Sequence, residues 1–208
     1  YYDIRQLELS AAHNNMKNTL LLKIDMEQLL YERNQILKEN RELERRSEIE
    51  EFTNVMNKTA FRTHVSAELE TMHQDQYVCL LVIDIDKFKS INDTFGHLVG
   101  DQVLLHVVKV LKEVLRSSDF IGRIGGDEFC VFMKNILSLP YLYERLDEIL
   151  DRLVNTRIED RQVLSASIGV CMSNHICRYD EIFQKADEAM YHAKHAGGNC
   201  YDITELST

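Results

Sequence analysis

Residues 123–133 read Arg-Ile-Gly-Gly-Asp-Glu-Phe-Cys-Val-Phe-Met, so two glycines and two acids directly precede an apolar run. A Gly-Gly pair between apolar segments predicts a β-hairpin. Because glycine has no side chain, the tip of such a hairpin lets a bulky ligand approach the backbone. Asp127 and Glu128 would then lie at the rim of a sheet, where carboxylates can hold a metal ion. A metal site beside an open backbone suggests nucleotide chemistry.

The composition favours one globular domain with an extension. The chain has 208 residues, of which 45% are hydrophobic, and a formal charge of −10. Because broad nucleic-acid binding depends on a basic surface, we expect no nucleic-acid partner. A polyphosphate is still a suitable ligand if Mg²⁺ supplies positive charge. No apolar run approaches the roughly 18 residues of a membrane span, and no signal peptide is visible. We therefore expect a cytoplasmic protein.

The first 50 residues contain neither glycine nor proline and carry a heptad repeat. The repeating apolar residues are Leu22, Leu29, Ile36 and Leu43, with Met26 four after the first. This pattern predicts a long helix with a coiled-coil seam, and we assign residues 1–50 to it and 51–208 to the globular domain. The partner positions of the seam are polar: Arg33, Asn40 and Ser47. They leave the register open, and a solvated single helix is the alternative to a parallel dimer.

Beyond residue 50 the apolar spacing predicts alternating helices and strands. Helices are expected over 57–74, 97–116, 138–155 and 180–195. Strands are expected over 78–84, along both arms of the central hairpin, over 162–171 and near Tyr201. The fold class is therefore α/β, an α+β sandwich with helices packed against a mostly antiparallel sheet.

A second acidic motif, Asp84-Ile85-Asp86, follows the apolar run 78–83. Alternation along a strand would put Asp84 and Asp86 on one face. Acids from adjacent strands supply the oxygen ligands that Mg²⁺ prefers, and the ion takes its other ligands from water and phosphate. The alternative is a strand that simply ends in polar residues. The hairpin acid Asp127 favours the metal site.

Residues 87–101 supply groups suited to a purine nucleotide. Lys89 can neutralise phosphate, and Asn92 and Asp101 suit the edge of a guanine. A carboxylate there accepts from two guanine donors that adenine does not present, and such pairing discriminates strongly. The alternative is an ordinary loop before a helix, because Asn92, Asp93 and Gly96 are turn formers.

Motifs across residues 50–205 together resemble the GGDEF family of diguanylate cyclases. They are 84–93 (Asp-Ile-Asp-Lys-Phe-Lys-Ser-Ile-Asn-Asp), Gly96-His97, Gly100-Asp101, 123–129, 165–170 (Ser-Ala-Ser-Ile-Gly-Val) and 186–194 (Ala-Asp-Glu-Ala-Met-Tyr-His-Ala-Lys). The resemblance implies a fold like the palm of class III nucleotidyl cyclases and some polymerases. It also implies an enzyme that joins two GTP into cyclic di-GMP and releases two pyrophosphates, as a homodimer with one GTP per subunit.

The resemblance implies a role for each site residue. Asp84, the Ile85 carbonyl and Asp127 would hold Mg²⁺ or Mn²⁺, with two ions per half-site. Asp127 and Glu128 would favour loss of the 3′-hydroxyl proton. The residues implied to bind substrate are Asn92 and Asp101 at guanine, His97 near the nucleotide, and Phe88, Lys89 and Lys194 along the triphosphate.

The resemblance also implies an inhibitory product site at Arg116 and Asp119. Arginine can pair with guanine or phosphate through two hydrogen bonds, and aspartate can accept from guanine. The alternative is a helix end followed by a turn. Arg145 and Arg152 are candidates for the basic residue that would complete the site from the facing subunit.

Two positions depart from the family pattern. The opening Asp-x-Leu-Thr-Gly-Leu-x-Asn-Arg appears as residues 50–58 with Asn54 in place of glycine, which predicts altered hinge geometry. Gly198 stands where many members carry a basic residue, which predicts one phosphate contact fewer and weaker GTP binding. Because the sequence begins without Met, we expect an upstream sensor. Two other functions compete with an active cyclase: an idle module that senses cyclic di-GMP, and a signalling dimer whose helix matters more than its chemistry.

Overall fold

The computed structural model describes residues 23, 26–36, 48–73, 76–158 and 162–206. The chain divides into two units, Tyr1–Ser47 and Glu48–Thr208. In the first unit, residues 26–36 form helix α1, and the side chains of Met26, Leu29 and Ile36 are each more than half exposed. The other seam positions lie outside the described residues: Leu22, Asn40, Leu43 and Ser47. The coiled coil and the boundary at residue 50 therefore stay predictions.

The second unit is built on a sheet of seven strands within the described residues, with the order β1-β2-β4-β5-β3-β8-β9. The strands, including the separate pair β6 and β7, are β1 (Ile49–Glu50), β2 (Val55–Asn57), β3 (Val78–Ile85), β4 (Phe120–Arg123), β5 (Glu128–Met133), β6 (Arg157–Ile158), β7 (Gln162–Val163), β8 (Ala166–Ser173) and β9 (Cys200–Glu205). Within the large sheet only β2–β4 and β8–β9 are parallel, so the prediction of a mostly antiparallel sheet is confirmed.

Helices cover both faces of this sheet. They are α2 (Lys58–Glu70), α3 (Phe88–Phe95), α4 (His97–Val114), α5 (Leu139–Val154) and α6 (Tyr179–His195). Successive side chains of β3 point to opposite faces of the sheet, so this strand contributes to two hydrophobic cores. Leu81 and Ile83 pack in the core formed with α4 and α5, whereas Leu80 and Val82 pack in the core formed with α2 and α6. Within the described part of the chain, no helix is both long and apolar enough to cross a bilayer.

Gly169 allows α6 to lie directly on β8. A Cβ atom at this position would overlap the backbone of α6 at Ala186 and Met190. Only glycine permits such a close approach between a strand and a helix backbone. This contact fixes the depth at which α6 packs, and α6 carries Lys194 near its C-terminal end.

The structure differs from the sequence analysis at three places. The chain from Phe88 to Phe95 is the helix α3 and not the ordinary loop considered as the alternative, because Phe88, Ile91 and Phe95 recur at helical spacing and Ile91 is buried. The long strand β8 begins at Ala166, not near 162, because residues 162–163 pair with 157–158 in a separate ribbon. The short strands β1 and β2 were not expected.

Asn54 gives the turn before β2 a conformation that glycine would also adopt. Its φ is 53°, in the left-handed region, where asparagine is among the most tolerated residues after glycine. Its backbone N–H donates to the Glu50 carbonyl over 2.9 Å. The Glu50 carboxylate in turn accepts from the Thr53 N–H at 2.7 Å. Loss of the glycine therefore does not require altered geometry, contrary to the expectation from the sequence.

Candidate active site

Three acids converge where β3 and β5 come together. Asp84, near the end of β3, lies opposite Glu128, the first residue of β5. The Ile85 N–H donates to the carbonyl of Asp127 over 3.3 Å, which ties the hairpin tip to the end of β3. The sequence motifs around residues 84 and 127 are therefore neighbours in space, as the hairpin and the apolar strand predicted.

This acid cluster carries more negative charge than its own contacts neutralise. Asp84 is 4% exposed, and its Oδ2 lies 2.7 Å from Lys194 Nζ. Burial raises the pKa of Asp84 despite Lys194, and the charges of Asp127 and Asp86 raise it further. Burial likewise raises the pKa of Glu128, with added repulsion from Asp84 and Asp127. A bound cation would relieve this repulsion.

The residues present fit a divalent ion that is completed by its ligand. Within the described residues, no three His, Cys, Asp or Glu side chains form a ready-made metal group. Mg²⁺ does not need one, because it is commonly held by one or two carboxylates together with water and substrate phosphate. Asp84, Asp127 and the Ile85 carbonyl remain the predicted ligands.

We expect Glu128→Gln to stabilise the metal-free protein at pH 8. The folded protein holds the Glu128 proton more tightly than the unfolded chain, so stability falls as pH rises from the ordinary value of 4.5 through the raised pKa. Glutamine removes that loss, by up to about 1 kcal/mol because the site is partly solvated. Urea unfolding in EDTA at pH 8 and at pH 4 measures it. The gain should disappear at pH 4, and an equal gain at both values would contradict this electrostatic explanation.

The predicted guanine-binding residues lie on two successive helices. Gly96, with φ of 84°, separates α3 from α4. A Cβ at Gly100 would overlap the Asn92 amide, so the Asn92 side chain lies directly against α4 beside Asp101. His97 and Asp101 are exposed on the first turns of α4, and Asn92 is half-buried. The structure thus brings Asn92 and Asp101 together in one region.

We expect Gly100→Ala to weaken GTP binding by displacing Asn92. The added methyl group collides with the side-chain amide rather than with backbone, so Asn92 must turn away. Alanine suits a helix interior better than glycine, so the protein should fold. The expected KM for GTP rises about tenfold, the typical cost of one buried hydrogen bond left unmade. Gln102→Ala, an exposed change on the same helix, is the control. An unchanged KM in Gly100→Ala would contradict the placement of Asn92.

The residues predicted to lie along the triphosphate differ in their exposure and in their contacts. Phe88 is half-buried and packs on the core, whereas Lys89 beside it is exposed. Lys194 reaches the cluster but is paired with Asp84. Asp86 accepts from Ser167 Oγ at 2.7 Å and from the Asn199 N–H at 2.9 Å, so its carboxylate is already engaged. The Asp-x-Asp motif therefore supplies one carboxylate to the cluster and one to a neighbouring network.

The predicted inhibitory pair lies in the turn between the C-terminal end of α4 and β4. The Arg116 N–H donates to Asp119 Oδ2 over 3.0 Å, which closes the turn and leaves the guanidinium free to contact the Tyr141 ring at 4.5 Å. Arg145 lies over the same ring at 5.5 Å. Arg145 also pairs with Glu144 and Glu148 on its own helix, and Arg152 pairs with Glu148 and with Glu113 on α4. Arg145 and Arg116 of the same subunit therefore both contact the Tyr141 ring, which the sequence could not indicate.

The sequence did not identify two further residues, Asp187 near the acid cluster and Tyr141 near the predicted inhibitory pair. Asp187 on α6 is exposed and contributes to the raised pKa of Glu128. Tyr141 on α5 presents its ring to Arg116 and Arg145. Asp187 stands in the motif at 186–194 and could have been selected there, whereas nothing in the sequence around Tyr141 indicates a site.

Comparisons with known proteins show which family the sequence matches. The family model for the diguanylate cyclase GGDEF domain matches residues 47–200. Two curated relatives from Escherichia coli (strain K12) are the probable diguanylate cyclases DgcT, 35% identical over 153 residues, and DgcC, 38% identical over 160. The matches cover 71% and 73% of this chain but only 34% and 42% of the relatives.

Solved structures match the fold as well. The coiled coil and GGDEF domain of DgcB from Caulobacter crescentus, in complex with c-di-GMP, has a TM-score of 0.76 at 25% identity and covers 89% of this chain and 99% of its own. The GGDEF domain of PA1120 (TpbB or YfiN) from Pseudomonas aeruginosa has a TM-score of 0.68 at 30% identity, and the match covers 76% of this chain and 95% of that domain's chain. Sequence and fold agree that the chain belongs to the diguanylate cyclase GGDEF-domain family.

Proposed function

We propose that the chain is a GTP-dependent diguanylate cyclase that condenses two GTP into cyclic di-GMP and two pyrophosphates. The convergence of Asp84, Asp127 and Glu128 beside Lys194 is the observation that supports this most strongly. An idle sensing module would not need this costly acid cluster, so we favour the active enzyme. Because the chain spans less than half the length of the curated relatives, the activity of the whole protein belongs to this proposal.

The reaction forms one bond and breaks one bond at each phosphorus. The 3′-oxygen of one GTP attacks the α-phosphorus of the other, the bond to pyrophosphate breaks, and the 3′-proton leaves. Mg²⁺ or Mn²⁺ held by Asp84, the Ile85 carbonyl and Asp127 would lower the hydroxyl's pKa and stabilise the departing pyrophosphate. Lys194 would release Asp84 and bind the triphosphate with Lys89. Much of the remaining rate acceleration would come from holding the two GTP molecules in the geometry for attack.

A homodimer follows from this chemistry, because each subunit offers one GTP half-site. The exposed apolar side chains Met26, Leu29 and Ile36 of α1 would be covered by a second copy. Such pairing would raise the local concentration of the facing domain. Because GTP and the product are intracellular nucleotides, we also propose a cytoplasmic location.

We expect Arg116→Ala to relieve product inhibition while synthesis continues. The Arg116 guanidinium contacts the Tyr141 ring and is suited to guanine and phosphate, whereas Arg145 over the same ring is paired with Glu144 and Glu148. Losing one two-pronged contact costs about 1–3 kcal/mol, so the cyclic di-GMP concentration for half-inhibition should rise roughly tenfold or more. Arg62→Ala is the matched control, because this arginine also lies over a tyrosine ring, that of Tyr179, and its ion pair with Asp180 joins α2 to α6 without involving α4 or α5. Inhibition that is unchanged by Arg116→Ala would remove this site from the account.

Incubation with GTP and Mg²⁺ tests the proposal itself. The protein should make cyclic di-GMP, ATP should not replace GTP, and the activity per molecule should rise with protein concentration as dimers form. If no product forms at concentrations where the protein is dimeric, the idle sensing module becomes the better reading, and direct binding of cyclic di-GMP would then support it.

A further inference from the structure

Asp86 joins three segments that come from distant parts of the sequence. It follows β3 directly, in the turn that leads to α3. Its Oδ1 accepts from Ser167 Oγ at 2.7 Å, and Ser167 on β8 lies opposite Asp84 in the sheet. Its Oδ2 accepts from the backbone N–H of Asn199 at 2.9 Å, just beyond the end of α6. Both carboxylate oxygens are therefore used to connect structure.

The chain after α6 is shaped around this carboxylate. Gly197, Gly198 and Asn199 all have positive φ, at 120°, 76° and 49°. A Cβ at Gly198 would lie 2.7 Å from Asp86 Oδ2 and 2.9 Å from its Cγ. At Gly197 a Cβ would meet nothing within 4 Å. The glycine at 198 thus has a steric reason as well as a conformational one.

This network stands next to the residues of the proposed reaction. Lys194 lies in the last turn of α6, four residues before Gly198, and its Nζ is 2.7 Å from Asp84 Oδ2. On the other side of Asp86, Lys87 has φ of 56°, which turns the chain sharply into α3 and toward Lys89. A connection between the end of α6 and this turn fixes the two lysine-bearing segments relative to each other.

We propose that Asp86 is a positioning residue that fastens the end of α6 to the β3–α3 turn, and that Gly198 is needed to leave space for its carboxylate. Asp86 acts through Asn199 and Ser167 and does not itself contact substrate. The absence of a basic side chain at 198 then reflects this packing, and an arginine there would displace Asp86 rather than add a phosphate contact.

The first test needs no catalysis. Amide hydrogen exchange at Asn199, followed by NMR, reports directly on its bond to Asp86. We expect Asp86→Ala and Gly198→Ala to speed this exchange about tenfold or more, since each removes or displaces a charged acceptor. Gly197→Ala is the control for backbone strain, because its φ of 120° is also positive but a Cβ there meets nothing within 4 Å, and it should speed the exchange less than Gly198→Ala. Ser167→Ala, which removes only one bond, serves if Asp86→Ala does not fold.

The second test rests on the proposed function and separates binding from turnover. If Asp86 positions Lys194 for the triphosphate, Asp86→Ala and Gly198→Ala should raise the KM for GTP about fivefold to tenfold, with kcat within about twofold. The double variant Asp86→Ala/Gly198→Ala should raise the KM by less than the two single changes combined, because the carboxylate that the methyl group would displace is already gone and only the strain of the positive φ remains.

Two results would overturn the inference: an unchanged Asn199 exchange in Asp86→Ala, or additive losses in the double variant. If the wild-type protein makes no cyclic di-GMP, the proposed function fails instead. The exchange measurement still decides the role of Asp86 in that case.

Discussion

We expect Asp127→Asn to lose at least about 100-fold in kcat/KM for cyclic di-GMP synthesis, because a proposed metal ligand and the group proposed to favour deprotonation disappear together. Asp127 lies at the hairpin tip, and its carbonyl accepts from Ile85 next to Asp84. Asparagine has nearly the same shape, so this backbone bond should persist. The rate of product formation with saturating Mg²⁺, followed by chromatography, measures the loss.

The stability of this variant separates chemistry from folding. Removing one charge from a cluster of repelling acids should leave the metal-free protein at least as stable as the wild type. Asp151→Asn, an exposed change on α5, is the matched control and should keep full activity. Activity of Asp127→Asn within tenfold of the wild type would contradict the role given to this carboxylate.

Gly169→Ala should cause the largest loss of stability, about 3 kcal/mol in the free energy of unfolding. The added methyl group would meet backbone atoms of α6 at Ala186 and Met190, which cannot rotate away as a side chain would. The helix must therefore shift, and Lys194 shifts with it. Urea unfolding gives the free energy, and the KM for GTP should rise in parallel.

A second glycine provides the control for this change. Gly126→Ala adds the same methyl group at a position where no atom lies within 4 Å, so its unfolding midpoint should stay close to that of the wild type. If Gly169→Ala unfolds at the same urea concentration as the wild type, the close packing of α6 on β8 is wrong.

The sequence predicts the acid cluster well because its signals are local. The Gly125-Gly126 tip, the apolar run after it and the strand before Asp84 each specify one element, and a mostly antiparallel sheet places their ends together. Helix α3 was missed because turn-forming residues such as Asn92 masked the helical spacing. The turn-forming residues suggested a loop, but the helical spacing allows Ile91 to be buried, and this burial stabilises the helix.

Contacts between distant residues could not be predicted in the same way. Asp86 shares the Asp-x-Asp motif with the predicted metal ligand Asp84, yet its partners Ser167 and Asn199 are 81 and 113 positions away. Arg145 reads as a residue for the facing subunit, yet the packing of α5 brings it to the ring of Tyr141 beside Arg116. Neither pairing has a motif of its own, because each depends on how helices pack on the sheet.

The most direct measurement is a time course with GTP and Mg²⁺ that counts both products in wild type and in Asp127→Asn. We expect one cyclic di-GMP for every two pyrophosphates from the wild-type protein, no product from ATP, and a rate reduced at least about 100-fold in the variant. Pyrophosphate without cyclic di-GMP, or equal rates in both proteins, would contradict this expectation.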